Sequence, residues 1–311
     1  MKVNKLSFVI PCYGSEKTIE SVVNGIIDTV QAKNPFEIIC VNDCSPDNVY
    51  SVLEKLATKY SFVKVVNLAK NFGQHNALMA GFRQLTGDIV ICLDDDGQTD
   101  PHDSYKLIDS LDELADVVYA KYVSKKHNAF RNFGSWTAKK MGQSLCDIPG
   151  ELSITSYFAA KRFVVDEICR YENPYTYLVG LVVRVTRKIK NVEIPHHERE
   201  IGKSGYSFVK LISLWMNGFT AFSVKPLRIS TIFGAVVAFL GFCYAIFIAT
   251  KKILNPQAPV GYSSMMCALL IIGGCIMLML GMIGEYLGRM YICMNKSPQY
   301  VIRNTLNVEE K

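Results

Sequence analysis

The chain has 311 residues, 50% of them hydrophobic and 20% charged, with a mean hydropathy of +0.16. That length and apolar content exclude a disordered chain and a small disulfide-stapled scaffold, and the hydropathy calls for a part that faces lipid. Lys and Arg number 34 against 28 Asp and Glu, a formal +6; with no dense basic stripe this points away from nucleic acid, and so mild an excess is open to a membrane surface, anionic ligands or no partner at all.

Four short apolar runs rich in β-branched residues open the chain, at 6–10, 37–41, 63–67 and 88–93. Helical patterns separate them: Ile19, Val22, Val23, Ile26, Ile27 and Val30 in the first crossover, Leu78, Phe82 and Leu85 in the third. Ser45-Pro46 and Asp100-Pro101 read as N-caps followed by proline at the first helical position. Strand alternating with helix predicts an α/β domain with a mostly parallel sheet and right-handed crossovers.

Ligands of such sheets bind beyond the carboxyl ends of the strands. The polar clusters fall there: Pro11 to Glu16 after the first run, Asn42 to Ser45 after the second, Lys70 to His75 after the third, Asp94 to Gln98 after the fourth. Neither G-x-G-x-x-G nor a P-loop is present. Three consecutive aspartates, Asp94, Asp95 and Asp96, repel one another unless a hard divalent cation such as Mg²⁺ or Mn²⁺ joins them, and such cations are commonly shared with phosphate oxygens. The competing reading is a solvated acidic turn before a helix N-terminus.

Farther along, His196 to Tyr206 combines Arg199, Lys203 and Ser204 with glycines, a segment suited to cradling phosphate. The adjacent pair His196-His197 lacks a third ligand for a metal, and His75 and His102 read as surface or supporting residues. Trp215 and its aromatic-apolar neighbours predict an amphipathic segment on the bilayer or packed on the domain. Uncharged runs at 229–250 and 260–284, separated by a polar turn with two prolines, predict a hairpin of two membrane helices. Basic residues outside the hairpin and the ten cysteines, scattered singly with no signal peptide ahead of them, place both termini in a reducing cytoplasm. Small residues on one face of each span (Gly234, Ala238, Gly241, Ala245; Gly274, Gly281, Gly284, Gly288) suit either packing of the two helices or a homo-oligomer contact.

With these residues in order, the chain resembles the inverting family 2 glycosyltransferases, and among them the polyprenyl-phosphate glycosyltransferases such as dolichol-phosphate mannose synthase and the bactoprenol glucosyltransferases. The resemblance rests on Phe8-Val9-Ile10-Pro11-Cys12-Tyr13, Val41-Asn42-Asp43-Cys44-Ser45, Asn71-Phe72-Gly73, Leu93-Asp94-Asp95-Asp96-Gly97-Gln98, Arg199 through Tyr206, and Lys225-Pro226-Leu227-Arg228. It implies a GT-A-like nucleotide-sugar-binding domain at 1–205, a juxtamembrane segment at 206–228, the two spans, and a cytoplasmic tail at 285–311, in an enzyme of the inner membrane. The implied reaction moves one sugar from a nucleotide-sugar donor, a UDP-hexose, to undecaprenyl phosphate. Pro11, Tyr13 and Asp43 match the nucleotide contacts, with Glu16 and Asp95 added to them. Asp94 and Asp96 match the D-x-D metal ligands, with Gln98 beside them at the catalytic centre, and Arg131 joins Arg199, Lys203 and Ser204 as a candidate for the acceptor phosphate.

The chain departs from the pattern in places. Gly14 and Ser15 stand where the family has Asn-Glu, Asn42 where it has the first of two aspartates, and the segment 149–159 lacks the carboxylate proposed as base and the arginine after its phenylalanine, so no base is assigned. These departures keep two alternatives in view: a membrane-anchored scaffold that binds nucleotide sugar without turnover, and a transferase with another membrane-associated acceptor.

Overall fold

The computed structural model describes residues 5–122, 152–195, 225–254 and 261–308. The chain divides into two compact units, one formed by 1–212 with 297–311 and the other by 213–296.

The first unit is built on an eight-stranded sheet of order β7-β5-β6-β4-β1-β2-β3-β8. Its first half alternates as the sequence predicts: β1 (Leu6–Cys12), α1 (Ile19–Val30), β2 (Phe36–Asn42), α2 (Val49–Lys59), β3 (Val63–Leu68), α3 (Gln74–Phe82) and β4 (Ile89–Cys92). β1 pairs in parallel with β2 and β4, and β2 with β3. Every residue of β1 and β4 is buried, as expected where both faces of a parallel sheet are covered. α1 buries the six predicted apolar positions. α3 comes so close that a Cβ on Gly81 would lie 2.6 Å from Val9 Cγ1 and 3.0 Å from Val41 Cγ2.

The second half changes direction. A 3₁₀ turn (Pro101–Asp103) and α4 (Ser104–Asp109) lead to β5 (Val117–Tyr122); β6 (Phe158–Lys161) lies antiparallel between β4 and β5 and continues into α5 (Arg162–Cys169), α6 (Leu178–Val185) and β7 (Ile189–Ile194), which is parallel to β5. Asp100 caps the 3₁₀ turn by accepting the His102 N–H at 2.9 Å, as its Asp-Pro signature predicts. Ser45-Pro46 is different: α2 begins at Val49 with Asn48 at its N-cap, and the Ser45 hydroxyl is drawn away to Asp47.

At the amino end of the sheet, Glu37 is 1% exposed and ringed by donors. It meets Lys64 at 2.9 Å and Lys5 at 3.0 Å, and accepts from the Ser7 hydroxyl at 2.6 Å, the Thr86 hydroxyl at 2.8 Å and the Thr86 N–H at 2.5 Å.

The second unit holds α7 (Lys225–Leu254) and α8 (Tyr262–Met294). Both predicted runs are helical. Among the described residues one stretch, Ile271–Met294, is long and apolar enough to cross a membrane, and the apolar stretch of α7, Ser230–Tyr244, is shorter. Within α8, Glu285 and Arg289 pair across one helical turn at 2.8 Å. Of the glycines on the two small-residue faces, Gly234 meets the other helix, where an added Cβ would lie 3.1 Å from Met279 Cε.

Residues 285–311 are not a plain tail. α8 runs to Met294, and β8 (Ile302–Leu306) returns to the sheet antiparallel to β3. The connection into β8 is held by Gln299, buried and donating to Thr176 Oγ1 at 2.6 Å, and by Tyr300, whose hydroxyl accepts from Arg83 at 2.7 Å.

Candidate active site

The carboxyl ends of β1 to β4 deliver Tyr13, Asp43, Gly73 and Asp94 to one edge, and the loops there are tied to one another. After β1, Gly14 turns the chain with φ +75°, a conformation glycine adopts without penalty. Its N–H donates to Ser45 Oγ at 2.7 Å; Ser45 Oγ donates to Asp47 Oδ1 at 2.6 Å, and Asp47 Oδ2 accepts the Glu16 N–H at 2.9 Å. The departure at position 14 is therefore a turn residue that docks the first loop on the second. Glu16 reciprocates by accepting the Asn48 N–H at 3.3 Å. Tyr13 leaves its side chain in the open, 54% exposed.

Asp43 is buried and bridges to the third loop, accepting the Phe72 N–H at 2.7 Å and the Gly73 N–H at 2.8 Å. Burial raises its pKa, and the two N–H groups offset part of that rise. Gly73, with φ +85°, allows both N–H groups to face one carboxylate.

The aspartate triplet divides its work. Asp94 accepts from Gln74 Nε2 at 3.1 Å on one oxygen and from the Ser156 hydroxyl on the other. Asp95 turns back, taking the Tyr13 N–H at 2.9 Å, while its carbonyl accepts from Thr18 Oγ1 at 2.6 Å. Desolvation lifts the Asp95 carboxyl to about 6, with a further push from the Asp94 charge; the Ser15 hydroxyl and the Tyr13 N–H act in the other direction and do not offset it. Asp96 folds into an Asx turn, accepting the Gln98 N–H at 3.1 Å. Tyr122, at the end of β5, sits in the field of this cluster: burial raises its pKa, and the charges of Asp94, Asp96 and Asp103 raise it further, so a neutral phenol stands beside the aspartates.

The structure thus brings Tyr13, Glu16, Asp43, Asp94, Asp95, Asp96 and Gln98 to one edge, with Pro11 inside β1 beneath them. Arg131, Arg199, Lys203 and Ser204 lie outside the described residues, as do His196, His197 and the segment 206–224. Three neighbours were not singled out from the sequence. Gln74 lies inside a polar cluster that was noticed, but Ser156 and Tyr122 reach the aspartates only through the β5 and β6 pairing, which has no local signature. His75 is half-buried and takes the supporting place of the two expected: its ring meets Tyr177 edge-on at 6.0 Å between centroids, and burial lowers its pKa to about 4, so it is neutral at pH 7. His102 does lie at the surface, paired with Asp100 at 2.8 Å.

Among the described residues no group of three or more His, Cys, Asp or Glu side chains is arranged to hold a metal. Two carboxylates with one residue between them, Asp94 and Asp96, and neutral oxygen-bearing neighbours fit a different demand, that of a hard cation which keeps several waters and takes its remaining ligands from substrate phosphates.

Comparison with known proteins agrees with this geometry. Residues 7–169 match the family described as glycosyl transferase family 2, and residues 225–290 match the GtrB C-terminal hairpin. The undecaprenyl-phosphate 4-deoxy-4-formamido-L-arabinose transferase of Proteus mirabilis (strain HI4320) is 32% identical over 99% of this chain and 96% of its own length; that of Klebsiella pneumoniae (strain 342) is 31% identical over 99% and 95%. In fold, the chain is similar to glucosyl-3-phosphoglycerate synthase from Mycobacterium tuberculosis, solved with Mn²⁺ and UDP-glucose, at TM-score 0.53 and 19% identity, covering 70% of this chain and 77% of that one. With a GT-A-like sheet, acidic groups at its carboxyl edge and a matching C-terminal hairpin, the chain belongs to glycosyl transferase family 2, as a glycosyltransferase of the polyprenyl-phosphate type.

Proposed function

We propose that the protein transfers a single sugar, with inversion, from a nucleotide-sugar donor to undecaprenyl phosphate at the cytoplasmic face of the membrane, anchored there by a two-helix hairpin. The observation that carries this reading is the placing of Asp94 and Asp96 at the carboxyl edge in a chain whose relatives are named for sugar transfer to undecaprenyl phosphate.

The chemistry follows from the groups present. A phosphate oxygen of the acceptor attacks the anomeric carbon as the bond to the nucleoside diphosphate breaks, so negative charge grows on the leaving group. Asp94 and Asp96 would hold Mg²⁺ or Mn²⁺, whose charge stabilises that leaving diphosphate. Gln74 and Ser156 orient the Asp94 carboxylate, and the Gln98 N–H orients that of Asp96. Tyr13, with its backbone held by Asp95, offers an exposed ring face to the base, and Asp43 supports the pocket by fixing the Phe72-Gly73 turn. The acceptor, a phosphate monoester with a second pKa near 6, is already largely ionised at neutral pH; this agrees with the lack of an assigned base. Its cationic cradle is assigned to Arg131, Arg199, Lys203 and Ser204.

The test uses the full chain in detergent with Mn²⁺ or Mg²⁺, undecaprenyl phosphate, and labelled UDP- and GDP-sugars that include hexoses and 4-deoxy-4-formamido-L-arabinose. A lipid-linked product that disappears in Asp96→Ala is expected. No product with any donor, or an equally active Asp96→Ala protein, would overturn the proposal; nucleotide binding without turnover would favour the scaffold alternative.

A further inference from the structure

The strand order sets three asparagines in one row. Asn42 of β2 is in register with Asn67 of β3, and Asn67 with Asn304 of β8. Their amides are joined head to tail: Asn42 Nδ2 donates to Asn67 Oδ1 at 2.9 Å, Asn67 Nδ2 to Asn304 Oδ1 at 2.8 Å, and Asn304 Nδ2 to the Tyr50 hydroxyl at 2.5 Å. At the inner end, Asn42 Oδ1 accepts the Ser45 N–H at 3.1 Å.

That last bond gives the row a direction. The Ser45 N–H needs an acceptor, so Oδ1 of Asn42 faces Ser45 and Nδ2 faces Asn67; each later amide takes its orientation from the one before it. Asn42 and Asn67 are 4% and 7% exposed, so a reversed amide would set donor against donor in a nearly dry setting. The asparagine at position 42, where the family has aspartate, now has a reason. A carboxylate there could accept from Ser45 but could not donate to Asn67.

The row ends on the loops of the site. Ser45 is the residue that receives the Gly14 N–H and holds Asp47, which in turn holds the Glu16 N–H. The conformation of the loop after β1 thus depends, through four consecutive hydrogen bonds, on a side chain encoded after the hairpin.

We propose that Asn304 is a positioning residue for donor binding, setting the Ser45 turn and the Gly14 to Glu16 loop through Asn67 and Asn42. This rests on the reading that those loops hold the nucleotide. It goes beyond a structural role for β8, because it assigns the effect to one amide rather than to the strand.

The experiment measures binding of UDP and of GDP, each with Mn²⁺, to the full chain in detergent by isothermal titration calorimetry, together with donor and acceptor KM and kcat. Asn304→Leu removes the acceptor for Asn67. Asn304→Asp keeps it, and its second oxygen can accept a proton shared by the Tyr50 hydroxyl. The Leu variant is expected to weaken nucleotide binding about tenfold, ~1.4 kcal/mol, and to raise donor KM by a similar factor with kcat and acceptor KM nearly unchanged; the Asp variant restores both. Asn307→Ala is the control. Its side chain fastens the end of β8 by donating to the carbonyls of Ala57 at 2.7 Å and Val63 at 2.9 Å, so its loss is expected to lower Tm while leaving nucleotide affinity in place.

The inference is overturned if Asn304→Leu binds nucleotide like the wild type, if Asn304→Asp is as weak as Leu, or if Asn307→Ala loses affinity to the same extent at an equal loss of Tm. If the wild-type protein binds neither nucleotide, the donor-site reading fails and takes this inference with it. Wild-type binding that survives in Asn304→Leu rejects the inference alone.

Discussion

Replacing Glu37 by glutamine tests how the amino end of the sheet is held. Burial by itself would raise the pKa of this carboxyl, but the Ser7 hydroxyl, the Lys64 ammonium, the Thr86 N–H and Lys5 pull harder and bring it from an ordinary 4.5 to about 2. A depression of that size corresponds to roughly 3 kcal/mol at 1.36 kcal/mol per pKa unit. Lys5 is 36% exposed and its share is screened, so most of the effect belongs to Lys64, 12% exposed, and to the neutral donors. Removing the charge also leaves the Lys64 ammonium without its carboxylate, although the Gln84 carbonyl still accepts from it at 3.4 Å, and breaking a buried pair costs about 3–5 kcal/mol. For a unit of this size the loss is roughly 6–20 °C in Tm. Thermal melts of the full chain in detergent, followed by far-UV circular dichroism, read it directly. Because the folded pKa is depressed, the stabilisation is complete above the unfolded pKa near 4.5 and fades as pH falls toward about 2. The gap between wild type and Glu37→Gln is therefore expected to be full at neutral pH and to narrow as the solution is acidified below pH ~4.5. Equal Tm values at neutral pH, or a gap that is as wide at acid pH as at neutral pH, would refute the reasoning.

If Asp94 and Asp96 hold the cation as proposed, Asp94→Asn and Asp96→Asn each lower kcat by at least about 100-fold through weaker charge stabilisation of the leaving group; initial rates against metal concentration show whether the loss follows metal affinity. Ser156→Ala removes a donor that orients Asp94 and is expected to reduce kcat about tenfold with donor KM little changed, measured by steady-state kinetics. Gly81→Ala forces a methyl against Val9 and Val41 and is expected to cost about 1–3 kcal/mol, seen as a lower Tm with unchanged KM values.

The first half of the fold was legible because its strands are largely buried and read as mainly apolar runs, with helical spacing between them. The same logic located the edge on which Tyr13, Asp43 and Asp94 meet. What escaped was antiparallel or polar. β6 has four residues, and its insertion between β4 and β5 is settled by long-range pairing alone. β8 reads Ile-Arg-Asn-Thr-Leu, with its three central residues exposed, so no hydrophobic pattern marks it as a strand. Ser156 and Tyr122 were invisible as partners of the aspartates for the same reason. Gly14 and Asn42, by contrast, were visible as departures from a family pattern, and only the hydrogen bonds they make explain them: one docks two loops, the other needs an amide rather than a carboxylate.

The return of β8 to the sheet has a consequence for biogenesis. The catalytic unit is interrupted in the chain by residues 213–296, so its eighth strand emerges from the ribosome only after the hairpin has been made. At ~5–20 residues per second that interval is about 4–17 s, during which β3 presents an uncovered edge of the kind that recruits other strands. Completion of the sheet is thereby coupled to synthesis of the hairpin: a chain that stops within it would carry a sheet that lacks its last strand and the far end of the asparagine row.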